Sequence, residues 1–213
     1  FISNLYWITN ALTFEETLTK YLNKEPMTNI LGTSFYDRKK DKKIYFNKKR
    51  ERIKDYSTLP SPYLTGIFDD LFNKYNYKWQ ATWETNRGCP YHCAFCDWGG
   101  VSRSKITKLK DAAVKETIEH VLSFDKVKRL EILDANYGIF PRDVDFVQHI
   151  VDNKKRDDML LTFAGFAKNG SPYLPDIMNL TMDNFNDKLR NVKISLQTLT
   201  PDVLDTIQRK NIS

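Results

Sequence analysis

An α/β fold is predicted from two features of the sequence. From residue 78 onward, short apolar runs of strand length alternate with longer segments in which apolar residues recur every three or four positions. The intervening segments are long enough to be helical crossovers, which points to βαβ units and a parallel sheet or barrel.

Each element has its own justification. TFEETLTKYL (13–22) places Phe14, Leu18 and Leu22 at helical spacing, and Thr13 is expected to cap the start with Glu16 three residues on. NILGTSFYD and KIYFN have strand character and are expected to form a hairpin around RKKDK. STLPSPYLTG, with two prolines and two serines, reads as a linker, so residues 55–77 are expected to join residues 1–54 to a core at 78–213. In that core KWQATWET (78–85) is a strand. LKDAAVKETIEHVL (109–122) is a helix with Val114, Ile118, Val121 and Leu122 on one face. RLEILDA (129–135) is the next strand, and DVDFVQHIV (143–151) a helix built on Val144, Val147, Ile150 and Val151. LLTFAGFA (160–167) is a third strand, SPYLPDIMNLTM a helical return, and NVKISLQT (191–198) a fourth strand. Thr200 as N-cap and Pro201 at the first helical position open a final helix.

The two-residue period of the fourth strand puts Val192, Ile194 and Leu196 on one face and Lys193, Ser195 and Gln197 on the other. In a β/α barrel the polar set lines the lumen, with Gln197 nearest the C-terminal mouth, where such folds place their chemistry.

Composition narrows the function classes. With 41% hydrophobic residues, 13 Phe, 11 Tyr and 4 Trp, the chain lies outside the disordered regime. No stretch approaches the roughly 18 to 20 apolar residues of a membrane-spanning helix, so no membrane partner is expected. The first residues carry neither a basic leader nor a small-residue cleavage site, which makes a cytoplasmic location the expectation. The sequence starts at Phe1 and stops soon after a helix begins, so a fragment of a longer protein is expected. Its net charge of +6 is concentrated: residues 37–54 hold ten Lys/Arg against three Asp/Glu. Such a run, with Tyr45 and Phe46 interleaved, has the chemistry of a phosphate-binding surface. No nucleic-acid module surrounds it, and a solvated hairpin rather than nucleic-acid binding is expected.

All three cysteines fall within eight positions, as Cys89, Cys93 and Cys96 in NRGCPYHCAFCDWGG. Their odd number and the missing secretory signal disfavour disulfides. Three thiols in one loop are a metal-binding pattern. Zinc ordinarily takes four protein ligands, and the nearby His92 is adjacent to Cys93, a strained spacing for chelating one ion. His120 and His149 fall on predicted helices and are expected to be ordinary surface or core residues. An iron–sulfur cubane usually takes four cysteines; three leave one iron open for a substrate or cofactor.

The pattern CxxxCxΦC, with the aromatic Phe95 before the last cysteine, follows a first strand and precedes βα repeats. Here the sequence resembles the radical S-adenosylmethionine (SAM) superfamily over residues 78–213. The resemblance implies a partial (β/α)6 barrel, of which about the first four βα units are present. CDWGG, DANYGIFPRD, FAKNG and SLQTLTPDVLDTIQRKNI resemble the branch that carries a cobalamin-binding domain ahead of the barrel. TLPSPYLTGIFD resembles the connector between the two. Residues 1–54 are then expected to be the tail of an α/β cobalamin-binding-like domain. No histidine precedes residue 92, so nothing is assigned to cobalt.

The resemblance further implies that Cys89, Cys93 and Cys96 ligate a 4Fe-4S cluster whose fourth iron takes the amino and carboxylate groups of SAM. Phe95 is implied beside the adenine. Asp134 and Asn136 stand where the superfamily commonly has a GGE-like motif for the methionine amino group, although DANYG lacks the paired glycines. Ser195 and Gln197 answer to ribose or carboxylate contacts, and Arg209 to the arginine that reaches the SAM carboxylate. Lys168 and Asn169 are placed at the mouth, and the Gly99 and Gly100 pair suits a tight turn after the cysteines. The implied activity is reductive cleavage of SAM, with cobalamin-dependent methyl transfer as one outcome. An unidentified substrate and a reductant such as flavodoxin or ferredoxin are the expected partners. The other reading of the cysteines is a non-catalytic iron–sulfur or zinc-binding module.

Overall fold

A computed structural model describes residues 5–8, 11–37, 41–51, 53, 55–56, 59–96, 106–166, 171–185 and 196–209. The chain divides into two compact units, residues 1–54 and 55–213.

The first unit is a small antiparallel sheet with one helix. Strand β1 (Leu5–Ile8) pairs with β2 (Thr33–Tyr36), which pairs in turn with β3 (Ile44–Phe46). The hairpin between β2 and β3 is registered by Phe35 opposite Tyr45, whose rings stack 5.3 Å apart. Helix α1 spans Ala11–Leu22, so Thr13 is its third residue rather than its cap. The Thr13 hydroxyl leaves the helix end altogether: it donates to the Leu31 carbonyl at 3.0 Å and accepts from Arg50 Nε at 3.1 Å. Glu16 pairs with the same Arg50 instead of closing a capping box.

The second unit begins with the segment read as a linker. It packs: Tyr63 and Phe72 are buried in the core, and Phe72 lies on α2 (Asp69–Lys74). Tyr63 donates its hydroxyl to the Thr82 carbonyl at 2.9 Å, fastening this segment to the first core strand. Prolines stop a regular helix there, but the aromatic side chains between them bury enough apolar surface to hold the loop down.

The core sheet holds β4 (Trp79–Trp83), β7 (Val127–Ile132) and β8 (Leu160–Phe163), parallel and in the order β4-β7-β8. Strands follow one another in sequence order, as in a barrel; a doubly wound sheet jumps and reverses. Two short strands, β5 (Asn86–Arg87) and β6 (Thr107–Lys108), form a separate antiparallel pair between β4 and β7. The crossover helices are α3 (Asp111–Leu122) and α4 (Pro141–Asn153). Val114, Ile118, Val121 and Leu122 of α3 and Phe146, Val147 and Ile150 of α4 join Ala81, Leu130, Ile132 and Leu161 of the sheet in one buried cluster. Burial of each aliphatic side chain contributes about 1.5 to 3 kcal/mol, which is why these two periodic faces dictate the fold.

Helix α5 (Leu174–Asn184) follows β8, and the six-residue α6 (Pro201–Thr206) is the last described element. Thr200 stands at the N-cap of α6 with extended backbone, but its side chain makes no capping bond. Of the expected fourth strand, residues 191–195 lie outside the described residues, and 196–198 are not strand. Thr198 N donates to the Leu196 carbonyl at 2.8 Å around Gln197, whose φ is +67°. This is a γ-turn, a tight reversal incompatible with the alternation read from the sequence.

Candidate functional site

Parallel strands deliver their C-terminal ends to one side of a sheet, and β4 and β7 do so in register, Trp83 opposite Ile132. Just past these ends the two chains are stitched together by Asp134. Its carboxylate accepts from Thr85 N at 2.6 Å, from Thr85 Oγ1, from Asn86 N at 3.4 Å and from Asn86 Nδ2 at 2.6 Å. Thr85, Asn86 and Asp134 are all buried. Burial lifts the Asp134 carboxyl to about 6, a larger effect than the Thr85 and Asn86 donors that pull it down.

The third strand presses on the same turn. Gly165 follows β8, and a Cβ there would stand 3.1 Å from the Ala135 carbonyl oxygen. Tyr137 N donates to the Gly165 carbonyl at 3.1 Å. The absence of a side chain therefore lets β8 approach the Asp134–Asn136 turn closely.

The cysteine loop springs from β5 and returns through β6, so a two-residue antiparallel ladder closes its base. Arg142, in the first turn of α4, locks that base. It donates to the Thr85 carbonyl at 2.9 Å and the Leu109 carbonyl at 2.8 Å, and pairs with Asp111 at 2.5 Å. Leu109 N also donates to the Thr85 carbonyl, at 3.0 Å.

Within the loop Cys89 and Cys93 are buried and Cys96 is half-buried. Asn136 Nδ2 donates to Cys89 Sγ at 3.3 Å, and Arg209 Nη1 donates to Cys93 Sγ at 3.4 Å. The loop is also docked by its backbone, Ala94 N donating to the Ile207 carbonyl at 2.9 Å. Among the described residues, no three His, Cys, Asp or Glu side chains stand close enough to share one metal ion. A cluster makes a different demand, since each cysteine holds its own iron. The donor set suits it: thiols from one loop, two of them buried and each met by a nitrogen donor of the kind that orients and tunes sulfur ligands.

The sequence-predicted residues thus separate into groups. Asn136 and Arg209 come together with the cysteines. Asp134 is buried among Thr85 and Asn86, its carboxylate occupied by them, whereas Asn136 Oδ1 is buried with no hydrogen-bond partner. Phe95 is 54% exposed, and His92 is exposed too. Gln197 is exposed on its γ-turn. Lys168, Asn169, Ser195, Gly99 and Gly100 lie outside the described residues. His120 and His149 each sit 2.9 Å from a carboxylate, Asp69 and Glu119 respectively. Sequence reasoning passed over Thr85, Asn86 and Arg142. The only trace of the first two was a polar Thr-Asn step between a strand and the cysteines, and Arg142 looked like any charge in a first helical turn.

No protein-family model matches the chain. Among curated proteins it is similar to the cobalamin-dependent radical SAM methyltransferase TokK of Streptomyces tokunonensis, 34% identical over 204 residues, covering 93% of this chain and 29% of that protein. It is also similar to the 2-(S-pantetheinyl)-carbapenam-3-carboxylate methyltransferase of Streptantibioticus cattleyicolor, 37% identical over 166 residues, covering 76% of this chain and 24% of that protein. The chain therefore spans less than a third of the length of these relatives. Among solved structures, the radical SAM methyltransferase TsrM from Kitasatospora setae shares the fold, with a TM-score of 0.58 at 12% identity over 93% of this chain and 38% of that one.

Proposed function

From a chain that is a homologue of cobalamin-dependent radical SAM methyltransferases, we propose that residues 78–213 form the SAM-cleaving core of such an enzyme, with residues 1–54 the end of the domain before it. Cys89, Cys93 and Cys96 hold a 4Fe-4S cluster in this reading. When bound, the cluster supplies the single electron that splits the sulfonium of SAM into methionine and a 5′-deoxyadenosyl radical.

The chain's own residues position and shield. The observation that carries the reading is the pairing of two buried cysteine thiols with Asn136 and Arg209, one donor from the turn after β7 and one from beyond α6. Asn136 turns its Nδ2 to Cys89 and keeps Oδ1 as an acceptor, the group an ammonium requires. Asn136 then serves the methionine amino group directly, and Asp134 serves it by fixing the turn on which Asn136 sits. Phe95, exposed in the loop, packs against the adenine. Gln197 and Ser195 answer to the ribose or carboxylate, and Lys168 keeps the SAM-binding role that the resemblance implies. In the full-length protein cobalamin would supply the methyl-transfer chemistry, held by residues outside this chain's assigned site, and a small one-electron carrier such as a flavodoxin or ferredoxin would supply the electron.

Anaerobic reconstitution of the full-length protein with iron and sulfide tests the site. The wild type is expected to take up about four irons per chain. C93A is expected to lose that iron while keeping its circular dichroism, because Cys93 belongs to a loop and not to the buried sheet. Full iron uptake by C93A would show that the ligands lie elsewhere.

A further inference from the structure

The two buried thiols are met by donors of different charge. Asn136 offers Cys89 a neutral amide, whereas Arg209 offers Cys93 a guanidinium. Arg209 is only 4% exposed. Its guanidinium carbon lies 5.9 Å from the centre of the Tyr91 ring, and its backbone N donates to the Leu204 carbonyl at 2.8 Å. The cysteine loop grips the same segment through the bond from Ala94 N to the Ile207 carbonyl. A guanidinium keeps its proton under all ordinary conditions. Arg209 is therefore a fixed positive charge, held where water screens it little.

Building on the cluster site proposed above, we infer that Arg209 and Asn136 are positioning residues that act through the ligand sulfurs and raise the reduction potential of the cluster, Arg209 more than Asn136. Reduction adds one negative charge to a centre whose cysteine sulfurs already carry much of that charge. Donors aimed at those sulfurs stabilise the reduced form more than the oxidised one, and a buried cation beside them does so most. Among the described residues, two of the three cysteine sulfurs receive such donors, and they are the two the fold buries. The geometry also redirects Arg209 itself: a guanidinium directed at Cys93 sulfur serves the cluster, not the carboxylate of SAM.

The test uses full-length protein, reconstituted anaerobically, as wild type, R209Q, R209K and N136A. Three quantities are read: iron per chain, the midpoint potential from an EPR-monitored dithionite titration without SAM, and the dissociation constant for SAM. R209Q keeps N–H donors and removes the charge. It is expected to carry wild-type iron, to show a more negative midpoint and to bind SAM as the wild type does. N136A is expected to shift the midpoint in the same direction by less, and R209K to stay nearer the wild type than R209Q. An unchanged midpoint in iron-loaded R209Q overturns the inference, as does weakened SAM binding at unchanged midpoint, which would return Arg209 to the carboxylate. If R209Q loses its iron, N136A decides: a midpoint more negative than that of the wild type supports the inference, and an unchanged one overturns it. A wild type that takes up no cluster overturns the site assignment as well, so the two failures are distinguishable.

Discussion

At the ends of β4 and β7, the Asp134 carboxylate gathers Thr85 and Asn86 and so fixes the distance between the strand that leads into the cysteine loop and the turn that carries Asn136. Its value of about 6 stands above the 3.8 of an unfolded aspartate. Between those two values the folded chain binds more protons than the unfolded one. The contribution of the neutral carboxyl is therefore fully present below about pH 4 and lost as pH rises through about 6. A shift of this size corresponds to about 3 kcal/mol. Thermal melts of the wild type from pH 4 to pH 7 are expected to include this decline, and D134N to show a flatter profile; equal slopes would remove Asp134 as the titrating group. The cysteine loop stood out by its spacing and Asn136 by the resemblance of DANYG to a family motif; the contact between Asn136 and Cys89 is what the structure adds. The clamp was not legible, because Thr85 and Asp134 are 49 residues apart and only the parallel pairing of β4 with β7 makes them neighbours.

Among the elements, the cysteine loop depends on supports that contribute little to the core. Its stem is the two-residue pair β5 and β6, and Arg142 ties that stem to the start of α4. R142A removes charge-assisted bonds to two carbonyls and is expected to cost about 2 kcal/mol. Faster hydrogen exchange at the Leu109 amide, beside the stem, is the local readout; unchanged exchange there would mean that the ladder holds without Arg142. G165A is expected to lower the melting temperature by forcing a methyl to within 3.1 Å of the Ala135 carbonyl. The cost is about 1 to 3 kcal/mol, the usual range for overpacking. Because the crowded carbonyl belongs to the turn that carries Asn136, iron uptake should fall with it. Helices α3 and α4 and strands β7 and β8 were legible because each presents several apolar residues at one period. Strands of two residues have no period to read, so β5 and β6 were invisible. The end of the expected fourth strand misled for a related reason: alternation in VKISLQ says nothing about a γ-turn that depends on a single backbone angle at Gln197.

For the whole molecule, charge and chemistry are divided between the two units. Residues 55–213 contain 21 Lys/Arg and 21 Asp/Glu, so the net charge of +6 belongs to the first unit. Within the second unit the charge next to the cysteines is that of Arg209, 3.4 Å from Cys93 Sγ. The parallel sheet delivers the strand ends to one side, the stem raises the cysteine loop there, and the segment after α6 returns to dock against that loop. This assembly is proposed to cleave SAM. The cleavage is tested most directly by incubating the reconstituted, reduced full-length protein with SAM and measuring 5′-deoxyadenosine by liquid chromatography with mass detection. 5′-Deoxyadenosine is expected from the wild type and none from C93A. A wild type that carries the cluster, binds SAM and forms no 5′-deoxyadenosine would contradict it and leave a non-catalytic iron–sulfur module in its place.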